Sequence, residues 1–112
     1  MRERRIVDAF VAGDAAGLVD ALEPGVTFHS PVADYVGRER AAPVLRAVLQ
    51  VVRSIRATSV LEGPGETVAF FTAELEGRRA DGVLRVAGGD VTLMVRPLRS
   101  LLAGIERMKE LV

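Results

Sequence analysis

The stretch from Ile55 to Arg96 constrains the fold of this chain more than any other part of its sequence. Its alternating apolar and polar residues predict four β-strands joined by very short turns, at residues 55–62, 67–76, 79–87 and 90–96. The segments Glu76-Gly77-Arg78-Arg79 and Ala87-Gly88-Gly89-Asp90 each place two residues at a tight turn, where glycine supplies a positive φ. Successive strands joined in this way form an antiparallel sheet.

Two-residue turns also set the register of the last three strands. Glu74 then lies opposite Asp81, and Asp81 lies opposite Arg96. One face is almost wholly apolar and consists of Ala69, Phe71, Ala73, Leu75, Ala80, Gly82, Leu84, Val86, Val91, Leu93 and Val95. The opposite face carries Phe70, Thr72, Glu74, Asp81, Val83, Arg85, Thr92, Met94 and Arg96. The apolar face must be covered by helices.

Two short helices are predicted before the sheet. Residues 3–12 carry apolar side chains at the i, i+3, i+4 spacing of an amphipathic helix. Gly13 ends this helix, and Asp14 is the expected N-cap of a second one. The apolar residues of both helices are available to pack on the sheet.

The remaining elements complete the predicted order. The segment 26–29 is a short strand by β-propensity, and Ser30 to Gly37 is a loop. A third helix follows with Pro43 in its first turn, and Pro97 ends the last strand and starts a final helix. Runs of helices segregated from an antiparallel sheet predict the α+β class.

Composition limits what this chain can do. With 112 residues we expect a single domain, 1–112, and the formal net charge of zero argues against nucleic acid and anionic membranes as partners. The chain has no cysteine and one histidine, so neither a thiolate nor a histidine-rich metal site is expected. Nucleotide-binding glycine fingerprints are missing too, and we expect no cofactor. Without a signal peptide or a long apolar segment, the default location is the cytoplasm.

Three residues near the first predicted strand could carry chemistry. His29 is the only side chain whose ordinary pKa permits proton exchange near neutrality, so it is a candidate general base. Asp34 and Tyr35 follow in the loop, where a carboxyl and a phenol together could polarise a carbonyl oxygen. The alternative is that His29 hydrogen-bonds its own loop, Asp34 makes an Asx-turn and Tyr35 packs over it.

Two other groups of residues have competing interpretations. The aromatic rings and small residues of the apolar face either allow a helix to approach closely or leave a cavity for a ligand, and the candidate ligand contacts are Phe10, Phe28, Tyr35, Phe71 and Ala73. On the opposite face, Glu74, Asp81 and Arg96 form either an acid–base couple or a solvated charged row. The apolar residues between the charges would suit a homodimer interface.

Four segments together resemble the SnoaL-like branch of the nuclear transport factor 2-like superfamily. They are Ala12-Gly13-Asp14-Ala15, Val26-Thr27-Phe28-His29-Ser30-Pro31, Gly37-Arg38-Glu39 and the strand ending in Arg96-Pro97-Leu98. The resemblance covers almost the whole chain. It implies a cone-shaped α+β barrel in which a bent, mostly antiparallel sheet wraps the N-terminal helices.

The resemblance also implies a pocket between the concave sheet face and the helices. Relatives include ketosteroid isomerases, polyketide cyclases, epoxide hydrolases and non-catalytic binding domains, and many are homodimers. Two departures are the long helix after Pro97 and the lack of ionisable residues on the apolar face of the last three strands.

Three functions follow as hypotheses. The first is a domain that binds a small apolar molecule. The second is a cofactor-free isomerase, cyclase or hydrolase that uses His29 with Asp34 or Tyr35. The third is a non-catalytic dimerisation or accessory module.

Overall fold

The structure, a computed structural model, describes residues 2–111. Its elements in chain order are α1 (Arg2–Ala12), α2 (Ala15–Ala21), β1 (Thr27–His29), β2 (Asp34–Val36), α3 (Arg38–Val51), β3 (Val52–Gly63), β4 (Glu66–Leu75), β5 (Arg78–Ala87), β6 (Asp90–Arg96) and α4 (Leu98–Leu111). The helices lie against one face of the sheet, as the α+β prediction requires.

The six strands form one curved, open sheet in the order β2-β1-β6-β5-β4-β3. Neighbouring strands are antiparallel, except that β1 runs parallel to β6. Two register shifts bend β3, and Ser54 there has a φ of 54°. The bent sheet wraps the helices, which confirms the predicted cone-shaped fold.

The core lies between the sheet and the helices and uses the predicted apolar face. Phe10 of α1 meets Phe71 of β4 edge to face, with ring centroids 5.3 Å apart. Gly82 allows this packing, because a Cβ there would lie 2.2 Å from Phe71 Cζ. At this position the small residue therefore serves the close packing of Phe71.

The predicted register is right for one hairpin and wrong for the other. Asp81 pairs with Arg96 as expected, but Glu74 pairs with Arg79 and not with Asp81. The turn is formed by Glu76 and Gly77, both with positive φ, one residue earlier than predicted. The resulting shift of two residues leaves every side chain on its predicted face, but it removes the proposed pair of opposed carboxylates.

Three element boundaries also differ from the prediction. The predicted loop 30–37 contains β2, whose three residues pair with β1. Helix α3 begins at Arg38, so Pro43 is its sixth residue and lies beyond the first turn. Strand β3 starts at Val52, immediately after α3, and not at Ile55. Propensity and periodicity carry little signal for a three-residue strand or for the residue at which an element begins.

Among residues 2–111, none of the helices combines the length and apolar character that crossing a membrane requires.

Candidate functional site

An apolar cavity of about 60 Å³ lies between α3, α4 and the covered face of the sheet. Its lining residues are Ser30, Pro31, Val32, Tyr35, Val44, Val48, Val51, Val52, Leu75, Leu93, Val95, Leu101, Gly104, Ile105 and Met108. None of these described lining residues is charged, and hydroxyl groups come from Ser30 and Tyr35 alone. The cavity therefore suits an uncharged molecule, since burying an unpaired charge is costly.

The β1–β2 hairpin positions the two hydroxyl-bearing residues at this cavity. Tyr35 pairs with Phe28 across the hairpin, and their rings stack with centroids 6.2 Å apart. The Ser30 hydroxyl donates to the Ala33 carbonyl oxygen at 2.7 Å and accepts from the amides of Val32 and Ala33. Ser30 is thus engaged in shaping the turn, which leaves the Tyr35 phenol as the better polar contact for a bound molecule.

His29 lies on the other face of the sheet, away from this cavity. Phe28 is completely buried in the core, and strand alternation points its neighbour His29 outward. The His29 ring is held between two carboxylates: Nδ1 lies 2.9 Å from Asp34 Oδ1, and Nε2 lies 3.3 Å from Asp90 Oδ1. Hydrogen bonds to Asp34 and then to Asp90 raise the His29 pKa above its ordinary value.

This cluster favours an imidazolium that donates both N–H groups and holds three strand ends together. The side chain of His29 is 35% exposed, and those of Asp34 and Asp90 are 63% and 57% exposed. Within residues 2–111, no group of three or more histidine and acidic side chains is arranged to hold a metal ion. The arrangement can exchange protons with solvent, but it does not face the apolar cavity.

The other predicted ligand contacts are part of the packed core. Phe10, Phe28, Phe71 and Ala73 are each no more than 4% exposed, and none of them lines the cavity beside α4. Of the predicted site residues, the structure brings only Tyr35 to that cavity. Ligand contact by the four core residues stays a prediction.

Sequence reasoning missed Ser30 and the cavity-facing residues of α4. The signal for Ser30 was present, because a buried Phe28 implies that residue 30 faces the same side of the strand and residue 29 the opposite side. The signal for α4 was its apolar stripe, which includes Leu101, Ile105 and Met108. The stripe predicts a buried helix face, but it does not say which surface that face meets.

The outer face of the sheet carries an exposed apolar row. Phe70, Val83 and Met94 pair across β4, β5 and β6, and Phe70 and Met94 are 42% and 65% exposed. They border an open concavity of about 530 Å³, with Asp81 and Arg96 at its margin. An apolar row within a charged surface is typical of a protein interface.

The comparisons with known proteins agree with this architecture. Two similar solved structures are an uncharacterised protein with a cystatin-like fold from Silicibacter pomeroyi and a steroid delta-isomerase from Pseudomonas aeruginosa. The first is 21% identical with a TM-score of 0.87, and the alignment covers 97% of this chain and 83% of that one. The second is 24% identical with a TM-score of 0.84, covering 97% and 90%.

A de novo designed protein with a curved β-sheet shares the fold as well. It is 16% identical with a TM-score of 0.77, and the alignment covers 99% of this chain and 97% of that one. At such identities these structures establish the fold and no particular activity. No curated protein matches the chain. The family model of the SnoaL-like domain matches residues 4–96, which is most of the sequence. The chain is therefore a member of the SnoaL-like domain family, within the nuclear transport factor 2-like superfamily.

Proposed function

We propose that this SnoaL-like domain binds a small, uncharged, apolar molecule in the cavity between α3, α4 and the sheet. The observation that carries the proposal is the uncharged lining, in which Tyr35 lies beside aliphatic side chains and would offer its phenol as a polar contact. Pockets with apolar walls and few polar groups are typical of small-molecule sites. A volume of about 60 Å³ is small for such a site, so the ligand must displace lining side chains to enter.

The first experiment is a thermal-shift screen with neutral steroids, terpenoids and aromatic polyketides. A ligand at 100 times its Kd should stabilise the native state by about 2.7 kcal/mol, which raises the melting temperature measurably. The chain has one tyrosine and no tryptophan, so its tyrosine fluorescence reports on Tyr35 alone. Stabilisation together with a change in this fluorescence would place the ligand at the cavity.

The substitution Tyr35→Phe removes one hydroxyl and keeps the ring that stacks on Phe28. We expect a two- to tenfold loss of affinity, the effect of about 0.5–1.5 kcal/mol for one hydrogen bond, with little change in stability. Isothermal titration calorimetry of the best screening hit measures the affinity. Ser59→Ala, on the exposed surface of β3, is the control and should bind like the wild type. Absence of any stabilising compound across the panel would contradict the proposal.

An isomerase-type activity is the second candidate, and the likeness of the fold to a steroid delta-isomerase favours it. Its acid–base groups would be His29 and Asp34, which lie within hydrogen-bond distance of each other. Substrate would then bind at the outer end of the β1–β2 hairpin, because His29 faces away from the cavity. A steroid isomerisation assay tests this candidate, and turnover that survives His29→Gln would rule out a catalytic role for His29.

We also propose that two copies associate through the outer sheet face. The exposed row of Phe70, Val83 and Met94 supports this, together with the charges beside it. Asp81 and Arg85 flank Val83 on the same strand and face. A two-fold axis along the row would place Asp81 of one copy opposite Arg85 of the other, so the surface is complementary to itself.

A further inference from the structure

Helix α4 lies outside the residues that the family model matches, although the similar solved structures extend over most of it. The family match ends at residue 96, and α4 spans Leu98–Leu111. The rest of the cavity is built within the matched residues, by α3, the β1–β2 hairpin and the sheet. The matched domain alone would therefore present an apolar trough, which α4 reduces to a cavity of about 60 Å³.

The side chains of α4 occupy the open side of this trough. Leu101, Ile105 and Met108 face Val48 of α3 and Leu93 of β6 across the cavity. The same helix exposes Leu98 and Leu102, which lie beside this stripe, by 67% and 51%. The apolar side chains of the helix thus cover the trough in the way that a bound apolar ligand would cover it.

The N-terminal half of α4 is attached more firmly than its C-terminal half. The buried Ser100 hydroxyl donates to the Arg79 carbonyl oxygen at 2.8 Å. Gly104 is also buried, and a Cβ there would lie 2.7 Å from Leu75 Cδ2 and 3.4 Å from Val51 Cγ1. A larger side chain at this point would have to displace the end of the Leu75 side chain.

Further along, exposed ion pairs replace these buried contacts. Arg107 lies 3.6 Å from Glu76 and also pairs with Glu110 in its own helix. Exposed pairs of this kind contribute little to stability. Met108 and Leu111 are only partly buried against the core. The contacts of the C-terminal half are therefore weaker than those made by Ser100 and Gly104.

We infer that α4 is an intramolecular occupant of the ligand site, and that an apolar ligand binds by displacing the C-terminal half of this helix. The inference rests on the proposed function, because it concerns the same cavity. The ligand and the helix compete for one apolar surface. The measured affinity is then weaker than the intrinsic affinity of the open site, because only molecules with an undocked helix can bind the ligand.

The test uses the full chain and the neutral fluorescent probe N-phenyl-1-naphthylamine. The substitution Gly104→Leu raises helix propensity but prevents close contact with Leu75. We expect it to bind the probe at least tenfold more tightly than the wild type. Gly63→Leu is the matched control, because a Cβ at Gly63 meets nothing within 4 Å, and its affinity should equal that of the wild type.

A second measurement does not depend on the folding of Gly104→Leu. The chain has no cysteine, so the thiol of a Met108→Cys variant can be labelled selectively. If the probe displaces α4, saturating probe should speed labelling at least tenfold. The thiol of Leu102→Cys, on the exposed side of the helix, should label at the same rate with and without probe.

The outcomes separate this inference from the proposed function. Tight probe binding that protects the Met108→Cys thiol would mean that ligand and docked helix coexist, which overturns the inference but keeps the site. A different result would overturn the proposed site itself. In that case neither the wild type nor Gly104→Leu binds the probe, although rapid labelling of the Met108→Cys thiol in the Gly104→Leu background shows that the helix is displaced.

Discussion

We expect His29 to make the stability of this protein sensitive to pH, because Asp90 joins the nearby Asp34 at its ring. Hydrogen bonds to Asp34 and Asp90 raise its folded-state pKa above the unfolded value of about 6.5. The stabilising effect is therefore complete below about pH 6.5 and disappears as pH rises through the folded pKa. We expect the free energy of unfolding to fall across that window. The change should stay near 1 kcal/mol, because the pairs are exposed and screened by solvent.

The substitution His29→Gln tests this expectation. It keeps an amide donor beside Asp34 and removes the titrating group. Urea unfolding between about pH 6 and 8.5 should show a falling free energy for the wild type and a flatter profile for the variant. Because the chain has one histidine, the difference between the two profiles belongs to His29. Identical profiles would mean that the two carboxylates do not stabilise the protonated ring of His29.

Thr67 is a second residue whose environment leads to a prediction. It is 1% exposed, and its hydroxyl oxygen finds no hydrogen-bond partner among the described residues. Thr67→Val removes the unsatisfied group at nearly constant volume, so we expect stabilisation of about 1 kcal/mol. The control is Thr58→Val, since Thr58 Oγ1 donates to the Phe70 carbonyl oxygen at 3.1 Å. Chemical denaturation should show a gain for Thr67→Val and none for Thr58→Val.

At the scale of elements, α2 depends on its cap. The helix has seven residues, too few to be stable alone, and the Asp14 carboxylate accepts from the Gly17 amide at 2.9 Å. The predicted cap is thus confirmed. Asp14→Ala should destabilise the protein by about 1 kcal/mol, measured by urea unfolding.

Asp14→Asn is the matched control for that loss. Asparagine caps helices about as well as aspartate, so its stability should remain within a few tenths of a kcal/mol of the wild type. An equal loss in both variants would indicate that the charge at Asp14, and not the cap hydrogen bond, stabilises this junction.

At the scale of the whole molecule, the proposed interface on the outer sheet face leads to a prediction about assembly. We expect a concentration-dependent dimer in sedimentation equilibrium. Met94→Asp should shift it toward the monomer, because it would bury a carboxylate against the apolar row of the second copy. Leu102→Asp introduces the same charge on the exposed side of α4 and should leave the association unchanged. A wild type that stays monomeric at high concentration would contradict the proposed interface.

Much of this fold could be predicted because its signals are local. Alternation along β4, β5 and β6 assigned their side chains to the correct faces, even where the turn at Glu76-Gly77 moved the register by two residues. Gly13 and Asp14 marked the boundary between the first two helices by the same kind of short-range chemistry. Strand β2 escaped prediction because three residues carry little periodicity of their own.

The sequence by itself determined the presence of five of the six described strands, the faces of β4, β5 and β6, the helix boundary at Asp14 and the family, because propensity, periodicity and turn geometry act over a few residues. Only the tertiary structure decided which surfaces meet. Parallel pairing of β1 with β6 brings Asp90 to His29, and docking of α4 on α3 and the sheet makes the cavity. The physical reason is that an apolar stripe or a charged side chain gains free energy from many possible partners, and only the packing of distant elements selects one.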